Sequence, residues 1–266
     1  MSWFNKPGRL VLRSIKYDFD FLQLPHLKLS AKIGFVIKKY FSLITHPTAV
    51  SLVGRRFFFT NRAGIAFLQT VFVDNAFLAD FCLSPKVVID VGAHTGQFNF
   101  FCRIYLKADR VYSFEPIKES FETLSKNFKT NVFPWAVASS PAVNLFIPNS
   151  NSFMASVFKL SPVFTKHQVA AKRLDQIEQI NNLPEIDLLK IDTEGSELDV
   201  LKTCGQILKK TKYVLVECSL DRPNNGDLTA VYRFLDENRF RVVHLGRPYP
   251  TRNNTIGAID VLFSQK

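Results

Sequence analysis

The chain has 266 residues, of which 47% are hydrophobic and 13% aromatic, and it carries a formal net charge of +11. A chain of this length can bury the core of one large globular domain plus an extension. The N-terminus mixes charged residues with apolar ones, so we expect no secretory signal. The best early apolar run, "IGFVI", is too short to span a membrane.

The four cysteines, Cys82, Cys102, Cys204 and Cys218, stand singly in apolar runs. No two of them have the spacing of a zinc site or of a redox motif. We therefore predict buried, reduced cysteines, which are typical of a cytoplasmic protein.

Most of the positive charge lies in the first quarter of the chain. Residues 1–62 hold 11 basic and 2 acidic residues, a net charge of +9, whereas residues 63–266 hold 23 basic and 21 acidic residues. Apolar residues separate these charges, as in "KLSAKIGFVIKKYFSLI". We expect residues 1–84 to form a basic helical extension. Two roles stay open for it: peripheral contact of residues 1–62 with a membrane or another anionic surface, or packing of its apolar side on the main domain.

Residues 85–266 alternate apolar runs with helical periods, which is typical of a βα repeat. The predicted strands, in chain order, are "KVVIDVG", "RVYSFEP", "NVFPWAVAS", a short "VNLFIPNS", "IDLLKID", "KYVLVEC", "FRVVHLG" and "GAIDVLFSQ". Helices are predicted after the first two strands and at "GSELDVLKTCGQILKK" and "DLTAVYRFLDENR". The stretch that leads to about Phe164 is rich in Asn, Ser and Phe, and it indicates a loop.

The long apolar strands predict an α/β fold with a doubly wound, Rossmann-like sheet. Strands that are apolar throughout are buried on both faces, as in a parallel sheet covered by helices. The last two strands are close enough in sequence to pair as an antiparallel hairpin. In such a sheet the ligand site lies at the carboxyl ends of the strands.

The stretch "VVIDVGAHTGQF", Val87 to Phe98, forms the turn from the first strand into the first helix. Gly92 and Gly96 allow backbone conformations or close approaches that a side chain would block. The turn also presents N–H groups at a helix N-terminus. Glu115 ends the next strand, where an acid can accept hydrogen bonds from both hydroxyls of a ribose. These features predict a nucleoside site.

The spacing of this turn favours a cationic nucleoside. A nicotinamide or flavin dinucleotide site normally shows G-x-G-x-x-G, whereas this turn reads D-x-G-x-x-x-G. Asp90 also places a carboxylate where the phosphates of a dinucleotide would be repelled. S-adenosylmethionine has a ribose, an ammonium group and a sulfonium but no phosphate, and it suits such a turn better.

From about Lys86 to Lys266 the chain resembles the FkbM-type S-adenosylmethionine-dependent methyltransferases. The resemblance rests on "VVIDVGAHTGQF", "VYSFEP", "LLKIDTEGSELDVLK" and "YVLVE", of which the "KIDTEGSE" block is the most specific. It implies a class I methyltransferase sheet of seven strands with an antiparallel last strand, and O-methylation of a sugar, glycan or secondary metabolite. The cofactor positions that it implies are Asp90, Gly92, Ala93, His94, Gly96 and Glu115, with Trp135 and Ala136 near the adenine.

Three carboxylates are predicted to meet beside the cofactor: Asp192 and Glu194 follow the fifth predicted strand, and Glu217 ends the sixth. A hydroxyl acceptor needs a base in reach or a divalent metal that makes its proton easier to lose. We predict Asp192 as general base or metal ligand, with Glu194 and Glu217 as further candidates. Two of these acids could share Mg²⁺, but the sequence does not settle a metal requirement. For Glu197 we favour a structural role at a helix N-terminus.

Other functions are weighed against this one. A nucleic-acid methyltransferase could use residues 1–62 to bind phosphates, yet "DTEGSE" stands where an Asn/Asp-Pro-Pro-aromatic turn is usual for base-amine methylation. The sequence therefore disfavours nucleic acid as a partner. A non-catalytic scaffold for membrane or partner binding also stays open. The sequence does not identify the acceptor or the oligomeric state.

Overall fold

The computed structural model describes residues 7–45, 47–61, 63–82, 84–148, 164–220, 227–250 and 255–266. Its α-helices are α1 Pro7–Gln23, α2 Leu29–Thr45, α3 Gly64–Asp74, α4 Ala79–Cys82, α5 Gln97–Phe101, α6 Lys118–Asn127, α7 Glu178–Asn181, α8 Glu197–Lys202 and α9 Leu228–Glu237. Its strands are β1 Ala49–Leu52, β2 Arg55–Phe58, β3 Val87–Val91, β4 Arg110–Phe114, β5 Val132–Phe133, β6 Ala136–Val137, β7 Ala142–Pro148, β8 Phe164–Lys172, β9 Ile186–Ile191, β10 Thr211–Ser219, β11 Phe240–Pro250 and β12 Ile256–Gln265.

The main sheet has seven strands in the order β11-β12-β10-β9-β3-β4-β5. Strands β3, β4, β5, β9 and β10 pair in parallel, and β12 is antiparallel to both of its neighbours, β10 and β11. This arrangement confirms the predicted α/β sheet with an antiparallel last strand. The order of the strands reverses at β3, so the crevice opens at the carboxyl ends of β3, β4 and β9.

The third predicted strand divides in two. "NVFPWAVAS" forms β5 in the main sheet and β6 in a separate three-stranded sheet of order β6-β8-β7. Pro134 lies between them and has no N–H to donate to a ladder. The long strand β8 was not predicted, because most of its residues are exposed and no continuous apolar run marks it. The predicted loop before Phe164 lies outside the described residues.

The sheet separates two hydrophobic clusters. In β3, Val88 faces a cluster that contains Phe21, Phe35 and Phe72 of the first three helices, whereas Ile89 faces the opposite cluster with α7, α8 and α9. Helices α1 to α3 therefore cover one face of the sheet. The extension and the sheet share one core, which supports the packing role considered for the extension. The division of the chain at residue 84 stays a prediction.

The four cysteines are free and buried, as predicted. In the described part of the chain, no single helix is long and apolar enough to cross a membrane. The bent pair Gly64–Asp74 and Ala76–Cys82 meets that criterion only when its two helices are taken together. Ile65, Leu68 and Phe72 of this pair are buried in the core, which is the usual place for such a helix in a globular fold.

Candidate active site

A cavity of about 2030 Å³ opens at the carboxyl ends of the central strands. Its wall includes most of the cofactor positions predicted from the sequence: Gly92, Ala93, His94, Glu115, Trp135 and Ala136. It also includes the three predicted acids, Asp192, Glu194 and Glu217. The structure thus brings the predicted nucleoside turn and the predicted acids to one cavity.

Gly92 lies where the first turn touches the loop after β9. Its φ is +86°, and a Cβ built on it would lie 1.8 Å from the backbone oxygen of Asp192. The backbone N–H of Asp192 donates to the carbonyl oxygen of Val91 at 3.1 Å. Glycine is therefore required at position 92 because two backbone segments of the site meet there.

Two predicted cofactor residues do not line this cavity. Gly96 has a φ of +94°, and a Cβ on it would lie 2.5 Å from the ring of Phe128 and 2.7 Å from Leu124 of α6, so its glycine serves close packing. Asp90 is fully buried inside β3. Its Oδ1 lies 3.7 Å from Nζ of Lys190. Burial raises the pKa of Asp90 to about 6, although Lys190 opposes that change.

Glu115 is held in the cavity wall by two backbone groups. Its carboxylate oxygens accept hydrogen bonds of 2.8 Å from the N–H groups of His94 and Ile117. Burial raises the pKa of Glu115 to about 7, and these two hydrogen bonds act in the opposite direction. A carboxylate has about four acceptor positions, so two remain for further donors.

The remaining predicted cofactor residues surround this acid. His94 has a left-handed φ of 49°, and burial lowers the pKa of its imidazole to about 4, so the ring is neutral at pH 7. A strained, non-glycine residue of this kind is characteristic of functional turns. Trp135 stacks on Phe133 at 5.5 Å, and Nζ of Lys172 lies 3.5 Å from its ring centroid. These contacts hold Trp135 in place in the cavity wall.

The three acids converge because of strand register. Val216 of β10 pairs with Ile191 of β9, so the residues that follow them, Glu217 and Asp192, lie side by side. Asp192, Glu194 and Glu217 each offer one oxygen atom within 4.8 Å of the other two. The predicted convergence of these acids is present in the structure.

Glu197 shapes the loop that carries two of these acids. Its Oε1 accepts from the backbone N–H groups of Thr193 at 3.0 Å and Gly195 at 2.9 Å, and from the Thr193 hydroxyl at 3.1 Å. The loop bends through Glu194 and Gly195, whose φ values are 56° and 115°. These contacts fit the structural role favoured for Glu197 from the sequence, and they explain why "DTEGSE" forms a tight unit.

Lys190 is a central residue that the sequence analysis missed. Its Nζ lies 3.0 Å from Oδ2 of Asp192 and 3.7 Å from Oδ1 of Asp90. Burial alone would lower the pKa of Lys190, but Asp192 and Asp90 raise it, so the ammonium stays charged. A lysine inside the apolar run "IDLLKID" was the sequence signal for such a role, because lysine is seldom buried without a partner.

Asp192 and Glu217 lie side by side and differ in acidity. Burial would raise the pKa of Asp192, but Lys190 and a hydrogen bond from Glu217 hold it below its usual range. Burial and the negative charge of Asp192 raise the pKa of Glu217 well above its usual range. Asp192 is therefore ionised at neutral pH, and Glu217 holds its proton more tightly than an ordinary carboxyl group does. The Asp192 side chain remains 31% exposed in the cavity wall.

The extension supplies a second wall that sequence reasoning did not anticipate. Phe67, Thr70, Val71 and Asp74 recur at helical spacing, and this face of α3 lines the cavity. The polar Thr70 and Asp74 in an otherwise apolar helix were an available signal. A third wall comes from the small sheet, where Val143, Leu145, Ile147 and Val169 line the cavity.

The cavity is acidic although the protein is basic. The described residues that line it include nine carboxylates but two lysines: Asp74, Glu115, Glu119, Glu122, Asp192, Glu194, Asp199, Glu217 and Asp260 against Lys118 and Lys190. Its potential therefore favours cationic or neutral ligands and opposes anionic ones.

Comparison with known proteins gives one family. The model of the methyltransferase FkbM domain matches residues 90–242, which is more than half of the chain. Methyltransferase 1 of Beauveria bassiana is 23% identical over 160 residues, which cover 50% of this chain and 64% of that protein. Hexuronic acid methyltransferase AglP of Haloferax volcanii is 28% identical over 138 residues, which cover 49% of this chain and 55% of that protein. Each match thus spans less than two-thirds of the curated relative.

Among solved structures, the chain is similar to magnesium protoporphyrin IX methyltransferase (ChlM) of Synechocystis PCC 6803 with bound S-adenosylmethionine. The TM-score is 0.45 and the sequence identity 11%, over 76% of this chain and 81% of that one. It is also similar to M. jannaschii TYW2 in complex with S-adenosylmethionine, with a TM-score of 0.45 and 12% identity over 82% of this chain and 86% of that one.

Proposed function

Because the chain belongs to the FkbM methyltransferase family, we propose that it transfers the methyl group of S-adenosylmethionine to a hydroxyl of a sugar, glycan or secondary metabolite. One observation carries this proposal beyond the family: an ionised Asp192 lies in the same cavity wall as the Gly92 turn and Glu115. A nucleoside-binding turn and a base are the two parts that O-methylation requires.

The residues at the first turn fit S-adenosylmethionine. Glu115 is buried, aimed by two backbone donors and left with acceptor positions that a ribose diol would fill. The imidazole of His94 is neutral, so it would not repel a sulfonium, and the acid-lined cavity favours a cation. When bound, the cofactor supplies an electrophilic methyl group. We assign Gly92, Ala93, His94 and Glu115 to holding it, with Trp135 and Ala136 beside its adenine.

Asp192 is the residue that we assign to the acceptor hydroxyl. Its carboxylate is ionised, fixed by Lys190 at 3.0 Å and partly open to the cavity. A hydroxyl that donates a hydrogen bond to this carboxylate would hand over its proton there as the oxygen attacks. Glu217 is the weaker acid of the pair, and in its protonated form it donates a hydrogen bond to Asp192 and so orients the base. Lys190 keeps the negative charge on Asp192 across neutral pH.

Magnesium is the alternative way to activate the hydroxyl. The oxygen atoms of Asp192, Glu194 and Glu217 are close enough to share one ion, and oxygen ligands are those that Mg²⁺ prefers. Lys190 already neutralises Asp192, however, and Glu217 holds a proton that a metal would have to displace. We therefore favour the base over the metal, and chelation with EDTA distinguishes the two.

The acceptor that fits this cavity carries no negative charge. Nine acidic side chains line the wall against two lysines. Even with Glu217 protonated and Asp192 paired with Lys190, acids remain in excess there, so a uronate or a phosphate group would be repelled. The apolar residues of β7 and the polar Thr70 and Asp74 of α3 together suit an acceptor with both a hydrocarbon and a hydroxylated part. The same charge argument disfavours a nucleic-acid acceptor.

The test combines binding with transfer. S-adenosylhomocysteine should raise the melting temperature of the full chain and NAD should leave it unchanged, since only a ligand of the folded state stabilises it. Methyl transfer from labelled cofactor should then be found with neutral alkyl glycosides and should be weaker with the matched uronic acids. Failure to bind S-adenosylhomocysteine would remove the proposal. Methyl transfer to RNA and not to glycosides would show that the proposed acceptor class is wrong.

A further inference from the structure

Helix α2 buries two of its three lysines and leaves several of its apolar side chains exposed. Lys32 and Lys39 are both only 6% exposed. Nζ of Lys32 donates to the carbonyl oxygen of Leu24 at 2.9 Å, and Nζ of Lys39 donates to Gln69 at 3.0 Å and forms an ion pair with Asp18. The surface of a globular helix normally shows the opposite distribution. Two lysines are thus buried with hydrogen-bond partners, whereas several apolar side chains of the same helix are exposed to water.

These apolar side chains form one continuous face, which we call the apolar stripe. Ile33, Ile37, Phe41 and Ile44 recur at helical spacing, and Phe41 and Ile44 are 62% and 79% exposed. Helix α1 packs beside α2 and adds two residues at a spacing of four. The full stripe consists of Ile15, Phe19, Leu29, Ile33, Ile37, Tyr40, Phe41 and Ile44. A contiguous exposed apolar surface of this kind marks an interaction site.

The charges beside the stripe are all positive. Residues 1–62 contain two acids, and both are engaged inward: Asp18 pairs with Lys39, and Asp20 lies 2.9 Å from Arg247. Lys16, Lys28 and Lys38 are exposed and adjoin stripe residues in the sequence. Within the residues that the structure describes, these three lysines have no ion-pair partner.

We propose that the apolar stripe docks onto an anionic lipid surface, with α1 and α2 lying in the plane of the interface. An apolar helix face flanked by lysines is the pattern of an interfacial helix, whose side chains enter the acyl boundary while its lysines meet lipid phosphates. The net charge of +9 on residues 1–62, against near neutrality in the rest of the chain, supplies the matching charge. A second copy of this chain would cover the stripe but would bring positive charge against positive charge.

The docked face lies one helix away from the cavity. Tyr17 stands between Ile15 and Phe19 on α1, and its hydroxyl donates to Asp74 of the cavity wall at 3.0 Å. A lipid surface bound at the stripe would thus hold the cavity close to membrane-associated molecules. The proposal itself does not depend on catalysis, since lipid binding is measured without cofactor or acceptor.

The test is flotation of the full chain with vesicles. Vesicles of equal parts phosphatidylcholine and phosphatidylglycerol should bind the protein, pure phosphatidylcholine should bind it more weakly, and added salt should release it. The double variant Ile37→Asp/Phe41→Asp should lose more than about tenfold in affinity, because it places charge in the acyl boundary. Lys28→Glu and Lys38→Glu should each lose about fivefold or more.

Matched controls come from α9, on the other side of the sheet. Tyr232→Asp and Arg233→Glu change an exposed aromatic and an exposed base there and should bind vesicles like the unmodified chain. Unchanged melting temperatures of the stripe variants would show that folding is intact. Vesicle binding that survives Ile37→Asp/Phe41→Asp overturns the proposal. The proposal is also overturned if the unmodified chain does not bind vesicles and instead forms a concentration-dependent dimer that Ile37→Asp/Phe41→Asp dissociates.

Discussion

Replacement of Asp192 by Asn tests the chemistry of the site most directly. The change keeps the size of the side chain, and an amide oxygen can still accept from Lys190, which also retains Asp90 at 3.7 Å. The fold should therefore survive. Loss of a general base costs about 10²-fold or more in turnover, which corresponds to about 2.7 kcal/mol of transition-state stabilisation. Affinity for S-adenosylhomocysteine should stay nearly intact, because Glu115 and the Gly92 turn hold the cofactor.

The assay compares turnover with affinity in the same preparation. Calorimetry with S-adenosylhomocysteine reports binding, and single-turnover methyl transfer to an accepted glycoside reports the chemical step. Asp199→Asn is the matched control. Asp199 also lines the cavity, but it accepts hydrogen bonds from Ser139 and lies outside the acid cluster. The Asp199→Asn variant should therefore show normal turnover. Near-normal turnover of Asp192→Asn would refute the reasoning and move the role to Glu194 or Glu217. An equal loss of affinity and turnover would mean that Asp192 contacts the cofactor.

Three further outcomes are expected. Glu115→Ala should weaken binding of S-adenosylhomocysteine by about 1–3 kcal/mol in calorimetry, since the two ribose hydroxyls of the ligand lose their hydrogen-bond acceptor. Unchanged affinity would remove Glu115 from the site. Because the pKa of Glu115 is raised to about 7 from 4.5, its contribution to the stability of the ligand-free chain is full below pH 4.5 and is lost as the pH rises through 7, by on the order of 3 kcal/mol. Urea unfolding from pH 4.5 to 8 should show this decline, and Glu115→Gln should make it shallower, since Asp90 and Glu217 also have raised pKa values. Gly92→Ala should lower the free energy of unfolding by about 3 kcal/mol or more, since the new Cβ has no room beside Asp192. The control Gly34→Ala in α2, with nothing within 4 Å of the new Cβ, should leave that free energy unchanged or raise it. Equal effects of the two substitutions would contradict the steric account.

The sequence sufficed for the features that depend on local pattern. Continuous apolar runs predicted the parallel strands, and their positions predicted that Asp192 and Glu217 would meet. The identity of a neighbour across strands was harder to foresee, because Lys190 acquires its role only when β3 and β9 set it beside Asp90. Gly96 shows the same limit: a contact that requires glycine there is with Phe128, 32 positions further along the chain.

The walls contributed by α3 and by the small sheet were missed on different grounds. Phe67, Thr70, Val71 and Asp74 belong to a segment without a recognised motif, and their common face becomes a site only after the helix packs over the crevice. Strand β8 shows mostly exposed residues, so neither alternation nor a long apolar run marks it. Tertiary packing determines the position of both elements, and the pattern of residues along the sequence does not report that packing.

The contact between Gly92 and the backbone of Asp192 has a consequence for how new acceptors can arise. The turn at Gly92 and the loop that carries Asp192 are in direct contact, so a shift of either one requires a shift of the other. Substitutions that alter the chemistry of the site are therefore constrained together. The faces of α3 and of β7 and β8 carry no such constraint. Variation in this family, natural or in the laboratory, should therefore be tolerated on those two walls, where exchanging segments between relatives can alter acceptor choice and leave methyl transfer in working order.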